Sequence, residues 1–198
     1  MKKWIWLIPA GAAAAAGAML LLRKGHASQA PASPARKGEA PVKQSYHMAQ
    51  PGSGCYSFVS GYRDAKTVEL HFAYDTAAFE CKEIAEDFPA PTSVSHAEVI
   101  RGEDFLIQLE YTDFAAGEDF ASFTGLLREK QKGFAPVKYG SNEGFRYYNG
   151  DNVCFVFPAT DFSCVLATAI VAKGSDLDYR ELHQEPQLAA FMESLAIS

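Results

Sequence analysis

The chain has 198 residues, of which 48% are hydrophobic and 21% charged, with a formal net charge of −6. That charge is unevenly divided: residues 1–44 hold seven Lys and Arg against one acid, and residues 45–198 hold eleven against 23, so the first part is +6 and the second −12. A domain this acidic argues against nucleic acid as a partner, because such binding rests on neutralising phosphates, and its size suits one domain with a full core.

Residues 1–24 read MKKWIWLIPAGAAAAAGAMLLLRK. Lys2 and Lys3 precede an uncharged run of 19 residues from Trp4 to Leu22, and Arg23 and Lys24 close it. A helix of ~20 apolar residues crosses a bilayer core, so the segment predicts one N-terminal transmembrane helix. A cleaved signal peptide is the alternative, with Ser28-Gln29-Ala30 as its processing site. The apolar run is long for that role, and two cations separate it from the site. No cysteine follows closely enough for a lipid anchor. Counting local cations would put the carboxyl end inside. The four cysteines and the very short amino-terminal tail favour the reverse, a domain outside a bacterial cytoplasmic membrane.

Residues 25–50 are rich in Pro, Ala and Lys without apolar periodicity. Such a stretch buries too little to offset its ordering entropy, which predicts a flexible linker and leaves 51–198 as the extracytoplasmic domain. Within it, 67–73 alternates, with Val68, Leu70 and Phe72 on one face, as in a half-buried strand. Residues 93–101 and 104–112 predict two more strands joined at Gly102-Glu103, the second with Phe105, Ile107, Leu109 and Tyr111 on one face. Residues 118–132 switch to helical spacing through Phe120, Phe123 and Leu127, with Gly133 placed for a C-terminal cap.

A strand-rich section follows. Residues 134–139 are short and apolar, and 144–153 contain Asn149-Gly150, the strongest short hairpin signal. Residues 153–157 are apolar on both faces and predict a central strand. The chain turns at 158–161, and 163–172 is again apolar. Ser175 and Asp178 form a capping pair, Pro186 suits the first position of a helix, and Leu188, Phe191 and Leu195 give it an apolar stripe. The expected fold is α+β, an antiparallel sheet covered by two main helices.

The run GFRYYNGDNVCFVF, followed by CVLATAIVAKGSD and a terminal amphipathic helix ending ESLAIS, resembles the PsbP-like α/β sandwich superfamily over about residues 66–197. The resemblance implies a small accessory or partner-binding protein. It carries over no catalytic residue set, and this chain lacks the lipid-anchoring cysteine that many such proteins use.

Cys55, Cys81, Cys154 and Cys164 contain no C-x-x-C pair. An even count in an exported domain predicts disulfides. A tight turn at 158–161 would set Cys154 nearly opposite Cys164, leaving Cys55 with Cys81; buried free thiols are the competing reading. Scattered cysteines and histidines do not build a zinc site.

His71 lies on the polar side of its strand. Ser95 and His96 are adjacent on a strand and so point to opposite faces. His183 with Glu181 and Glu185 reads as a solvated segment, and His26 and His47 fall in the linker. Acids cluster at Glu83-Glu86-Asp87, Glu103-Asp104 and Glu118-Asp119. Paired carboxylates can hydrolyse glycosides, but these read as loops and a helix start. Tyr139, Tyr147, Tyr148 and Tyr179 are candidates to line a ligand or partner surface. The expected function is a non-catalytic binding domain held at the membrane, without cofactor or metal. The rival is a small envelope hydrolase using surface carboxylates and His71.

Overall fold

The computed structural model describes residues 45–59, 66–83, 94–114 and 118–198. The predicted transmembrane helix and residues 25–44 of the linker lie outside these. No helix among the described residues is long and apolar enough to cross a membrane.

Eleven strands and two α-helices are present among the described residues. The strands are β1 (Ser45–Gln50), β2 (Ser53–Val59), β3 (Thr67–Ala73), β4 (Glu80–Glu83), β5 (Val94–Arg101), β6 (Phe105–Asp113), β7 (Lys132–Tyr139), β8 (Asn142–Asn149), β9 (Asn152–Thr160), β10 (Ser163–Val171) and β11 (Ala196–Ile197). The helices are α1 (Phe120–Lys130) and α2 (Pro186–Ser194), with a single 3-10 turn at Leu182–Gln184.

The expected single sheet under two helices is not what forms. There are two sheets, one of order β1-β2-β3-β11 and one of order β4-β5-β6-β10-β9-β8-β7. All pairs are antiparallel. The reason lies in β3. Its side chains alternate strictly between buried and exposed, as read from the sequence. Its apolar face belongs to the core that the larger sheet lines, with Tyr56 of β2 beside it. One hydrophobic core joins Tyr56, Val68, Leu70 and Phe72 of the small sheet to the inward residues of β6, β9 and β10. A sheet therefore takes the place expected of a helix. Ser45–Gln50, assigned above to the linker, is β1, paired along its length with β2.

The helices fill what remains. Asp119 caps α1 by accepting from the Ser122 amide at 2.7 Å, a contribution of about 1 kcal/mol. α1 covers part of the larger sheet's other face, where Phe114 meets Phe123 at 5.0 Å between ring centres and Phe120 meets Phe145 at 6.3 Å. Pro186 opens α2, as its fixed φ allows. Leu188, Phe191, Met192 and Leu195 then join the core between the sheets.

Strands β9 and β10 are buried on both faces for most of their length. Residues on the face away from the small sheet form a transverse polar row: Gln108, Thr168, Cys154 and Tyr147 are successive cross-strand partners on β6, β10, β9 and β8.

None of the four cysteines forms a disulfide. The β9–β10 connection turns at 161–162, later than the sequence suggests, and a bulge follows at Ser163/Cys164. Cys164 consequently sits opposite Pro158, and Cys154 opposite Thr168. At ~3.4 Å of rise per residue the two thiols are displaced by roughly four residues along the strands, too far to bridge. Cys55 lies on the small sheet, opposite His71, and Cys81 on the large one, opposite Ile100.

Candidate binding surface

Arg146 and Tyr148 are two apart on β8 and so share a face. Their partners Phe155 and Val153 point into the core between the sheets, but β8 lies near the sheet's edge. Tyr148 packs against the margin of that core. Its ring lies against Gly133 of β7, where a Cβ would come within 2.2 Å of the ring carbons. Gly133 is thus not the cap of α1, a place taken by Gln131. Its φ of 66° serves the irregular start of β7, a left-handed conformation open to glycine, and leaves room for the tyrosine.

The second half of the surface comes from the segment before α2. The Asp178 carboxylate accepts from the Arg180 amide at 2.9 Å, folding a tight turn of the kind aspartate favours. Leu182, fully buried, pins the following 3-10 turn to the core. This sets Tyr179 edge-on to Tyr148, with ring centres 5.8 Å apart. Arg146 Nη1 donates to the Tyr148 hydroxyl at 2.7 Å, and that hydroxyl donates to the Arg180 carbonyl at 3.1 Å. Arg180 Nε donates to the Tyr179 hydroxyl at 3.3 Å. Each guanidinium also lies 5.5 Å from the centre of its tyrosine ring.

The result is a chain of guanidinium, ring, ring, guanidinium at the surface. Among the described residues neither arginine is within ion-pair distance of a carboxylate. The hydrogen bond to Tyr179, then the fields of Tyr179 and Asp178, hold the Arg180 pKa above its ordinary value. His183 stands close by. Burial, then the Arg146 charge, lower its pKa, opposed by a backbone hydrogen bond at Arg180, and its Nδ1 is buried without a hydrogen-bond partner. Such a surface offers fixed guanidinium donors beside flat apolar faces. It can hold anionic groups and aromatic or aliphatic neighbours.

Two of the four tyrosines proposed from sequence, Tyr148 and Tyr179, meet here. Tyr139 instead packs edge-on to Phe155, with ring centres 5.8 Å apart. Tyr147 faces the polar row and is 2% exposed. Arg146 and Arg180 were missed. The available signal was the R-x-Y spacing on a strand, which puts both side chains on one face.

The other candidates do not gather around this surface. His71 is on the outer face of the small sheet, where Nε2 lies 3.3 Å from Glu69 Oε2 and 3.7 Å from Cys55 Sγ. Both partners meet the same ring nitrogen, so no relay runs from carboxylate through imidazole to thiol. Burial, then the Glu69 charge, raise the Cys55 pKa, which keeps the sulfur protonated. Asp119 caps α1, and Asp104 accepts from Ser175 Oγ at 3.3 Å. Glu86 and Asp87 lie outside the described residues. Among the described residues no group of three or more His, Cys, Asp or Glu could hold a metal ion.

A buried titratable group that sequence reasoning did not single out is Glu110, 3% exposed on the same face as the polar row. Burial pushes its carboxyl up to about 7, opposed by the 2.7 Å hydrogen bond from Gln108 Nε2. Burial also raises the Cys154 and Cys164 thiols, to about 12 for Cys154.

No family model matches the chain, and neither a curated protein nor a solved structure shows significant similarity to it.

Proposed function

We propose that the protein is a non-catalytic binding module, held outside a bacterial membrane by residues 1–24, whose partner docks on the face formed by Arg146, Tyr148, Tyr179 and Arg180. The observation that carries this reading is that two arginines are fixed on two tyrosines, at the surface of an acidic domain, with no carboxylate within ion-pair distance among the described residues. Tyrosine and arginine dominate the residues that carry binding energy in protein interfaces. Their preorganisation here reduces the ordering cost of association. The uncharged run of 19 residues and the cationic linker supply the anchor and reach.

Photocrosslinking in intact cells tests it, with the probe at the exposed position 181, beside Arg180, and a control probe at the exposed Thr67. The reading predicts a species enriched from position 181 and not from 67. Identical recovery from both positions, or none from 181 across growth conditions, contradicts it. Deleting residues 1–24 is expected to move the chain from the membrane fraction to the soluble fraction.

A further inference from the structure

Resting on that reading, we propose that the segment this face binds is an acidic stretch of polypeptide carrying at least two spaced carboxylates, one for each of Arg146 and Arg180.

The arginines are the first ground. Residues 45–198 hold 23 acids against eleven Lys and Arg, yet among the described residues neither guanidinium ion-pairs. Asp178, the carboxylate whose field acts on Arg180, spends an oxygen on the Arg180 backbone amide. Arg146 gives Nη1 to Tyr148, and Arg180 gives Nε to Tyr179. Each retains further N–H donors of the five on a guanidinium, in the planar fork that matches a carboxylate.

Spacing is the second ground. Arg146 lies on Tyr148 and Arg180 on Tyr179, two rings whose centres are 5.8 Å apart, so side chains spaced along a peptide can meet one arginine each. The rings would cover the apolar stems or aromatic neighbours of those side chains.

Long-range charge is the third. A domain of −12 repels an extended polyanion or an anionic membrane face. The attraction of two arginines is felt only within roughly 8–10 Å at ordinary salt. A short acidic segment docked face-on meets the local charge and little of the remainder.

The test uses the full chain in detergent. Random short peptides are displayed and selected on it, and the enriched sequences are measured by fluorescence anisotropy. The proposal predicts enrichment of peptides with two or more Asp or Glu. It predicts weakening of about thirty-fold or more in Arg146→Gln/Arg180→Gln, a similar loss when the peptide acids become Asn or Gln, and weaker binding at higher salt. Enriched peptides without acids, binding indifferent to the double substitution, or no enrichment at all would overturn it. So would displacement by inorganic phosphate or phosphatidylglycerol vesicles as effective as by unlabelled peptide. The unfolding midpoint of the double variant separates lost binding from lost folding. If Arg146→Gln/Arg180→Gln unfolds, Tyr179→Ala replaces it, with the same expectation. A non-acidic partner captured from position 181 leaves the binding face standing and removes only this proposal. Absence of capture removes the face itself.

Discussion

Tyr147 and Tyr148 are neighbours in the chain and opposites in the fold. Tyr147 points to the buried polar row, opposite Cys154, where burial and the nearby thiols hold its phenol well above its usual pKa. Tyr148 points to the other side and becomes the centre of the arginine cluster. The difference teaches that residue type did not decide which tyrosine serves the interior and which the surface. Strand parity did, together with how far the small sheet extends over the large one. Tyr147 serves folding, whereas Tyr148, part-exposed, is the one that the proposed binding face uses.

The largest expected break in this comparison is Tyr147→Ala. Removing a buried aromatic ring costs about 3–5 kcal/mol, so denaturant unfolding should show a large loss, with Tyr148→Ala losing much less. The pH dependence of the buried row comes next. Glu110 is raised from 4.5 to about 7 in the folded chain. Unfolding therefore releases a proton between these values, and stability is full below pH 4.5 and falls as pH rises toward 7. The loss above pH 7 is about 3 kcal/mol. Glu110→Gln should recover much of it at pH 8 and change little at pH 4. Groups facing Glu110 include Tyr147, Cys154 and Cys164, which all stay neutral over that range; His183, whose lowered pKa gives a slope of opposite sign, is present in both chains, so the difference between the parent and Glu110→Gln isolates Glu110. A smaller effect follows Gly133→Ala. Its positive φ costs roughly 1–2 kcal/mol for a residue with a Cβ, and the new methyl meets the Tyr148 ring. Stability should fall modestly while binding at the face falls further.

The sequence was most informative where one strand carries its own signal. β3 has the expected bounds, and the inward face of β6 holds the expected Phe105, Ile107, Leu109 and Tyr111. The hairpin before β9 is present, although its loop is Gly150-Asp151, one residue beyond the Asn-Gly centre. What was not legible is non-local. Alternation on β3 states that one face is covered, but not that a second sheet covers it. β2, with small and polar residues around Tyr56, and the four-residue β4 carry little periodicity. The disulfide expectation failed because the chain turns at 161–162 rather than at 158–161, a shift that no local pattern announces. Its correction is testable: in denaturant without reductant, all four thiols should react with a thiol reagent. In the native chain Cys154 and Cys164 should remain protected, since both are fully buried and held as thiols. For the binding face, aromatic content pointed to Tyr148 and Tyr179, but only the packed turn at 178–182 reveals that Arg180 joins them.

The central claim is that Tyr148, Tyr179 and the two arginines serve binding rather than folding. Measuring partner capture and unfolding midpoint on the same full-length variants, Tyr179→Ala and Arg180→Gln, tests it most directly. The account predicts capture reduced at least about tenfold with an unchanged midpoint. Full capture, or a loss of capture that only follows a fall in the midpoint, would contradict it.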